Sequence, residues 1–163
     1  SFAPKMTGDK ITLGFAGISD SESISQIEKQ CFSEPWSASA VHDFLGYNFN
    51  RILCAVIDGK ISGYVSFTFI PNEIEIQNVA VAPELRRKGI ADAIMRELCK
   101  YAADKSAEKI SLEVRVSNFA AISLYQKHGF LKTDIRKNFY RHPNEDACVM
   151  IKEFNTQQTT TKE

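Results

Sequence analysis

Cysteine, proline and tryptophan are scarce in this chain of 163 residues, and neither sign of charge is in excess. Cys31, Cys54, Cys99 and Cys148 stand singly, so no Cys-x-x-Cys pair offers zinc its usual ligands, and they read as buried thiols without a disulfide framework. His42, His128 and His142 form no ligand cluster, and no metal is expected. Lys plus Arg and Asp plus Glu number twenty each, which argues against a nucleic-acid binder working through a global positive field. No apolar run reaches the length of a membrane span, and no charged-then-apolar leader opens the sequence; the expected setting is the cytoplasm. The low-complexity signal is confined to residues 155–163, rich in Thr and Gln, which read as a flexible tail, while residues 1–5 precede Met6 and read as a cloning remnant.

What remains, residues 6–154, has the length of one domain, and a hydrophobic content of 44% is enough for its core. Ile11 to Phe15 reads as a strand. Asp20 and Ser21 offer capping side chains before Ile24, Ile27 and Cys31 at helical spacing. Pro35 interrupts that helix, and Ser37 can cap a second one bearing Val41, Phe44 and Leu45. Arg51 to Ile57 and Lys60 to Ile70 are rich in β-branched and aromatic residues around Asp58-Gly59, a strong hairpin turn. Glu73 to Val81 reads as a central strand, Ile90 onward as an amphipathic helix of about four turns, and Lys109 to Val116 as a strand parallel to Glu73–Val81. Asn118 caps a further helix ending at Gly129. Phe130 to Ile135 and Asp146 to Ile151 supply two last strands, joined by a longer loop holding Tyr140 and Pro143. The sum is an α/β fold, a mixed β-sheet flanked by helices on both faces.

Between the central strand and its helix lies Pro83-Glu84-Leu85-Arg86-Arg87-Lys88-Gly89-Ile90-Ala91. Backbone N–H groups at a helix start, the helix dipole and three cations make this an anion site suited to a pyrophosphate. Gly89 lets the main chain approach a phosphate, and the small Ala91 keeps the first turn open. Solvation of a helix end is the plainer alternative.

The loop resembles the acyl-CoA-binding motif of the GNAT acetyltransferases, Gln/Arg-x-x-Gly-x-Gly/Ala, with Arg86, Gly89 and Ala91 in its places. Leu112 to Phe130 resembles the RimI-type branch of that family, the ribosomal-protein alanine N-acetyltransferases, through Leu-Glu-Val-Arg-x-Ser-Asn-x-x-Ala-Ile-x-Leu-Tyr-x-x-x-Gly-Phe. Tyr140 to Met150 continues the match with Tyr-x-x-Pro-x-Glu-Asp-Ala-x-x-Met, and the likeness runs from about Ile11 to Phe154, more loosely in the first half. The resemblance implies a GNAT-like sheet, acetyl-CoA as cosubstrate, and a protein N-terminus as acceptor, above all the N-terminal alanine of a small-subunit ribosomal protein.

It also implies roles. Glu113 corresponds to the general base and Tyr125 to the general acid that meets the leaving CoA thiolate. Val79, Ala80 and Val81 match the strand whose main chain binds the pantetheine arm. Arg87, Lys88, Gly89, Ile90 and Ala91, with Asp92, match the pyrophosphate cradle, although the Asp92 carboxylate repels phosphate unless only its N–H faces the ligand. Asn118 matches a CoA contact, and Trp36 and Tyr140 border the acceptor groove. Each has a plainer alternative: Glu113 as a surface carboxylate paired with Arg115 or a lysine, Tyr125 and Trp36 as core side chains, Asn118 as a helix cap. At the level of function, broader N-terminal or lysine acetylation and a non-catalytic acyl-CoA sensor stand as alternatives.

Overall fold

The computed structural model describes residues 10–154; the expectations for 1–5 and 155–163 lie outside the described residues. β1 (Thr12–Phe15) pairs antiparallel with β2 (Asn50–Ile57), which returns through Asp58-Gly59 into β3 (Lys60–Ile70). Both turn residues are left-handed, with φ of 51° and 76°, as a tight hairpin between right-twisted strands requires. β4 (Glu73–Val81) runs antiparallel to β3, and β5 (Lys109–Arg115) is parallel to β4, the only parallel pair in the sheet. β6 (Leu131–Tyr140) and β7 (Glu145–Glu153) complete the order β1-β2-β3-β4-β5-β7-β6.

Side-chain alternation along the strands assigns the helices to opposite faces. Ile52 and Cys54 of β2 pack with Ile24, Ile27 and Val41 from α1 (Ser21–Cys31) and α2 (Ala38–Leu45). Their neighbours Leu53 and Ala55 join the larger cluster that holds Ile90, Ile94, Met95 and Leu98 of α3 (Ile90–Asp104) and Ile122 and Tyr125 of α4 (Phe119–Lys127). Ser37 Oγ accepts from Ala40 N at 3.1 Å and Asn118 Oδ1 from Ala121 N at 3.2 Å, so both expected caps form.

Three local expectations change. Asp20 does not cap α1; its carboxylate accepts from Gly17 N and closes a 3-10 turn at Ile18–Asp20, because that turn places the nearer unpaired N–H beside it. Cys31 and Cys99 are half-buried, unlike the buried Cys54 and Cys148. β6 runs five residues past Ile135, so Tyr140 ends a strand and the connection to β7 is only residues 141–144. β6 is an edge strand exposed along nearly its whole length and therefore carries no apolar alternation to announce it.

The feature that positions the site is a failure of pairing. β4 and β5 are in register only at Glu73–Lys109, Ile74–Ile110 and Glu75–Ser111, after which they part. The departure begins at a bulge: Ser66 pairs with Asn78 and Phe67 with Ile76, leaving Gln77 as an extra residue in β4. Ser66 Oγ accepts the Asn78 N–H at 3.0 Å and fixes the bulge.

Candidate active site

The parted strands open a cleft of about 620 Å³ lined by residues from β4, β5, α4, the loop after α1 and the end of β6. Trp36, Val79, Glu113, Asn118, Tyr125 and Tyr140 all border it. They do so from opposite faces of the sheet. Leu112 and Val114 of β5 point into the α3/α4 core with Tyr125, so the intervening Glu113 points to the α1/α2 side. Base and acid candidates therefore approach one gap from its two sides.

Tyr125 is 7% exposed, and its ring packs on Phe130 with centroids 5.8 Å apart. Burial, with the Tyr140 phenol adding a little, pushes its hydroxyl well above the usual phenol range, so it stays protonated. Glu113 is less enclosed. Its partner is Arg136 of β6, Nε to Oε1 at 3.4 Å, in place of the expected Arg115 or lysine. Arg115 instead pairs with Glu145 at 3.3 Å, donates to the carbonyls of Arg141 and Pro143, and lies 4.5 Å over the Tyr140 ring. Tyr140 is raised to about 12, first by burial and then by the nearby Glu113 charge. Glu145 Oε2 accepts from Ser117 N at 2.7 Å and ties the start of β7 to the turn before α4; the Ser117 side chain and N–H hold its carboxyl below the usual range.

Along β4, Ala82 N donates to Ser62 O, so by strand alternation Ala80 also turns its peptide groups to β3. Val79 and Val81 turn theirs toward the gap. The Val81 carbonyl accepts from Arg86 Nε at 3.3 Å and from Cys31 Sγ at 3.5 Å, which folds Arg86 back along the strand.

The basic loop lies beyond the end of β4 and outside the cleft lining. Arg87 has φ 66° and Gly89 φ 77°; a Cβ at Gly89 would meet nothing within 4 Å, so the α3 N-terminus opens onto free space. The Asp92 carboxylate is turned elsewhere. It meets Lys127 Nζ at 2.8 Å, His128 Nε2 at 2.9 Å and the Arg96 guanidinium, tying α3 to the end of α4.

Lys127 above all, with His128 and Arg96, holds Asp92 down at about 2 against an ordinary 3.8. A lowered folded-state pKa gives stability that is complete above the ordinary value and is lost as pH falls through the folded one. Asp92→Asn is accordingly expected to flatten the acid limb of thermal stability between about pH 4 and pH 2. Melting temperatures across that window check it; an identical acid limb in the variant contradicts it.

Glu28 of α1 is a cleft-supporting residue that motif reading passed over. It is 0% exposed and accepts from Trp36 N at 3.0 Å, from Asn78 Nδ2 at 3.1 and 3.3 Å, and from the Tyr64 hydroxyl. Its signal was available as a charge one turn after Ile24, on the helix's apolar stripe. Trp36 packs on Phe44 at 5.0 Å and borders the cleft. Among the described residues no group of three or more His, Cys, Asp and Glu is arranged to hold a metal, and no helix is long and apolar enough to cross a membrane.

The model of the Acetyltransferase (GNAT) family matches residues 21–130. A Bacillus subtilis protein named "Putative [ribosomal protein bS18]-alanine N-acetyltransferase" is 34% identical over 134 residues, covering 82% of this chain and 89% of its own. "N-alpha-acetyltransferase RimI" of Mycobacterium tuberculosis is 30% identical over 153 residues, covering 89% of this chain and 95% of its own. The crystal structure of the ribosomal-protein-S18-alanine N-acetyltransferase from Escherichia coli superposes with a TM-score of 0.87 at 25% identity, covering 94% of this chain and all of that one. The family match spans more than half of the chain, including the opened strand pair and the basic loop, and the chain belongs to the GNAT family of acetyltransferases.

Proposed function

We propose that residues 6–154 form one cytoplasmic acetyltransferase domain that acetylates the N-terminal α-amine of a protein, the alanine terminus of a small-subunit ribosomal protein being the preferred acceptor. The observation that carries this is the convergence of Glu113 and Tyr125, from opposite faces, on the gap beside the bulge of β4. The relatives supply the acceptor class, since those in Bacillus subtilis and Escherichia coli are named for bS18 or S18 alanine.

The residues present suit acetyl-CoA. Val79 offers its main-chain groups and Val81 its N–H along an unpaired strand edge, with Ala80 between them held to β3 and the Val81 carbonyl taken by Arg86 and Cys31. Arg87, Lys88, Gly89, Ile90 and Ala91 would hold the pyrophosphate at the α3 N-terminus, with Asp92 contributing its N–H while its carboxylate is neutralised by Lys127, His128 and Arg96. Asn118 adds a polar contact at the cleft while capping α4. When bound, acetyl-CoA supplies an activated acetyl thioester.

The remaining work falls to side chains. Trp36 and Tyr140, on the α1/α2 side with Glu113, border the path of the incoming terminus. Glu113 takes a proton from the amine, directly or through water; an α-amine with a pKa of about 7.7–8.0 needs only modest help, whereas a lysine at about 10.4 needs far more. Tyr125 donates toward the departing sulfur. Transfer is direct and needs no enzyme nucleophile; the one thiol at the cleft, Cys31, is turned to the Val81 carbonyl.

The test uses acetyl-CoA and two peptides bearing the ribosomal-protein N-terminus, one with a free α-amine and one α-blocked with an internal lysine. Mass spectrometry is expected to find acetyl groups only on the free terminus. Lysine modification overturns the acceptor assignment, and CoA binding with no transfer to either peptide favours a sensor.

A further inference from the structure

Glu28 has no part in the transfer chemistry, yet it is the most enclosed charged side chain of the described core. A carboxylate taken out of water persists only where donors replace the water. Here the cleft-side donors come from two different chain segments, which Glu28 joins. One is the backbone N–H of Trp36, in the loop after α1; the other is the Asn78 amide, beside the bulge of β4, and Tyr64 of β3 adds its hydroxyl from beneath. One turn earlier on α1, the buried Ser25 donates to the Trp36 carbonyl at 3.0 Å. Both polar groups of Trp36's backbone therefore end on α1.

Trp36 and Asn78 both belong to the cleft lining, and Asn78 directly precedes Val79. Tyr64 does not reach the lining. An apolar side chain at position 28 could fill the same core volume, but it could not fix the distance between these two segments. We infer that Glu28 is a positioning residue for the acceptor: by joining Trp36 to Asn78 it holds the cleft wall on the α1/α2 side, where the incoming N-terminus must lie. This rests on the reading of the cleft as an N-terminal acetylation site.

Glu28→Met keeps a similar volume but removes both acceptor oxygens, so the Trp36 N–H and the Asn78 amide lose their common partner. It is expected to raise the acceptor-peptide KM about tenfold, the loss of roughly one hydrogen bond to a charged group, while the acetyl-CoA KM moves less than about twofold. Trp36 is the only tryptophan, so acrylamide quenching of its fluorescence reads the loop directly, and quenching should increase at a temperature where the variant is fully folded. Tyr64→Phe removes the donor that lies away from the cleft and should leave both readouts unchanged even where it lowers the melting temperature. Ser25→Ala loosens the same loop from a second point and should reproduce the Glu28→Met pattern if that variant does not fold. Equal changes in Glu28→Met and Tyr64→Phe, or no change in quenching and acceptor KM, overturn the inference. Should the wild-type protein acetylate no α-amine, the functional reading falls while the Trp36 quenching still decides whether Glu28 holds this wall.

Discussion

Tyr125→Phe is expected to lower kcat about a hundredfold to a thousandfold, the usual worth of a positioned proton donor, while acetyl-CoA affinity and melting temperature stay close to wild type. The substitution removes one oxygen and leaves the ring on Phe130, so the packing that holds α4 to the core survives. What disappears is a hydroxyl bordering the gap, which in the proposed mechanism meets the departing CoA thiolate, a leaving group with a pKa comparable to cysteine's, about 8.5. Burial keeps that hydroxyl protonated far into alkaline solution, so deprotonation of Tyr125 should add no falling limb to the wild-type rate profile up to about pH 10. Steady-state kinetics in both substrates from pH 6 to 10 check the pair of statements. An unchanged kcat removes Tyr125 from the chemistry and returns it to the core.

Glu113→Gln is expected to produce a smaller and pH-dependent loss, about tenfold to a hundredfold near neutrality. The reason is the acceptor. An α-amine with a pKa of about 7.7–8.0 is largely protonated at pH 7 and largely free at pH 9, so the help it needs from a base shrinks across that interval. The deficit of the variant should shrink with it, whereas the Tyr125→Phe deficit should not. Arg136 sits beside the wild-type carboxylate and has no comparable charge to pair with in the amide variant, yet it lies on the exposed edge strand, where its release costs little stability. A Glu113→Gln deficit that is constant from pH 7 to 9 would mean that Glu113 places the amine and does not accept its proton.

The parts of this molecule that could be read in advance are those decided by near neighbours in the chain. The Asp58-Gly59 turn, the caps at Ser37 and Asn118, and the apolar spacing of the helix from Ile90 all appear where local chemistry puts them. The order of motifs from Leu112 to Phe130 carried the family, which the matches to known proteins bear out. The second half of β6, past Ile135, escaped because an edge strand open to solvent on nearly every residue needs no apolar alternation. Asp92 looked out of place in an anion loop until its carboxylate was found against Lys127, His128 and Arg96, two of them 35 and 36 positions away.

By itself, then, the sequence determined the order and type of the elements, the family, and which residue types were available for acetyl transfer, because periodicity, turn chemistry and motif spacing act over a few residues at a time. Only the tertiary structure decided that β4 leaves β5 after three pairs, that Glu113 and Tyr125 border that gap from opposite faces, that Arg136 and not Arg115 stands beside Glu113, and that Glu28 joins Trp36 to Asn78, 50 residues along the chain from itself. These are outcomes of a bulge, of sheet alternation and of buried hydrogen bonding, and each is fixed by groups that come together only when distant segments pack.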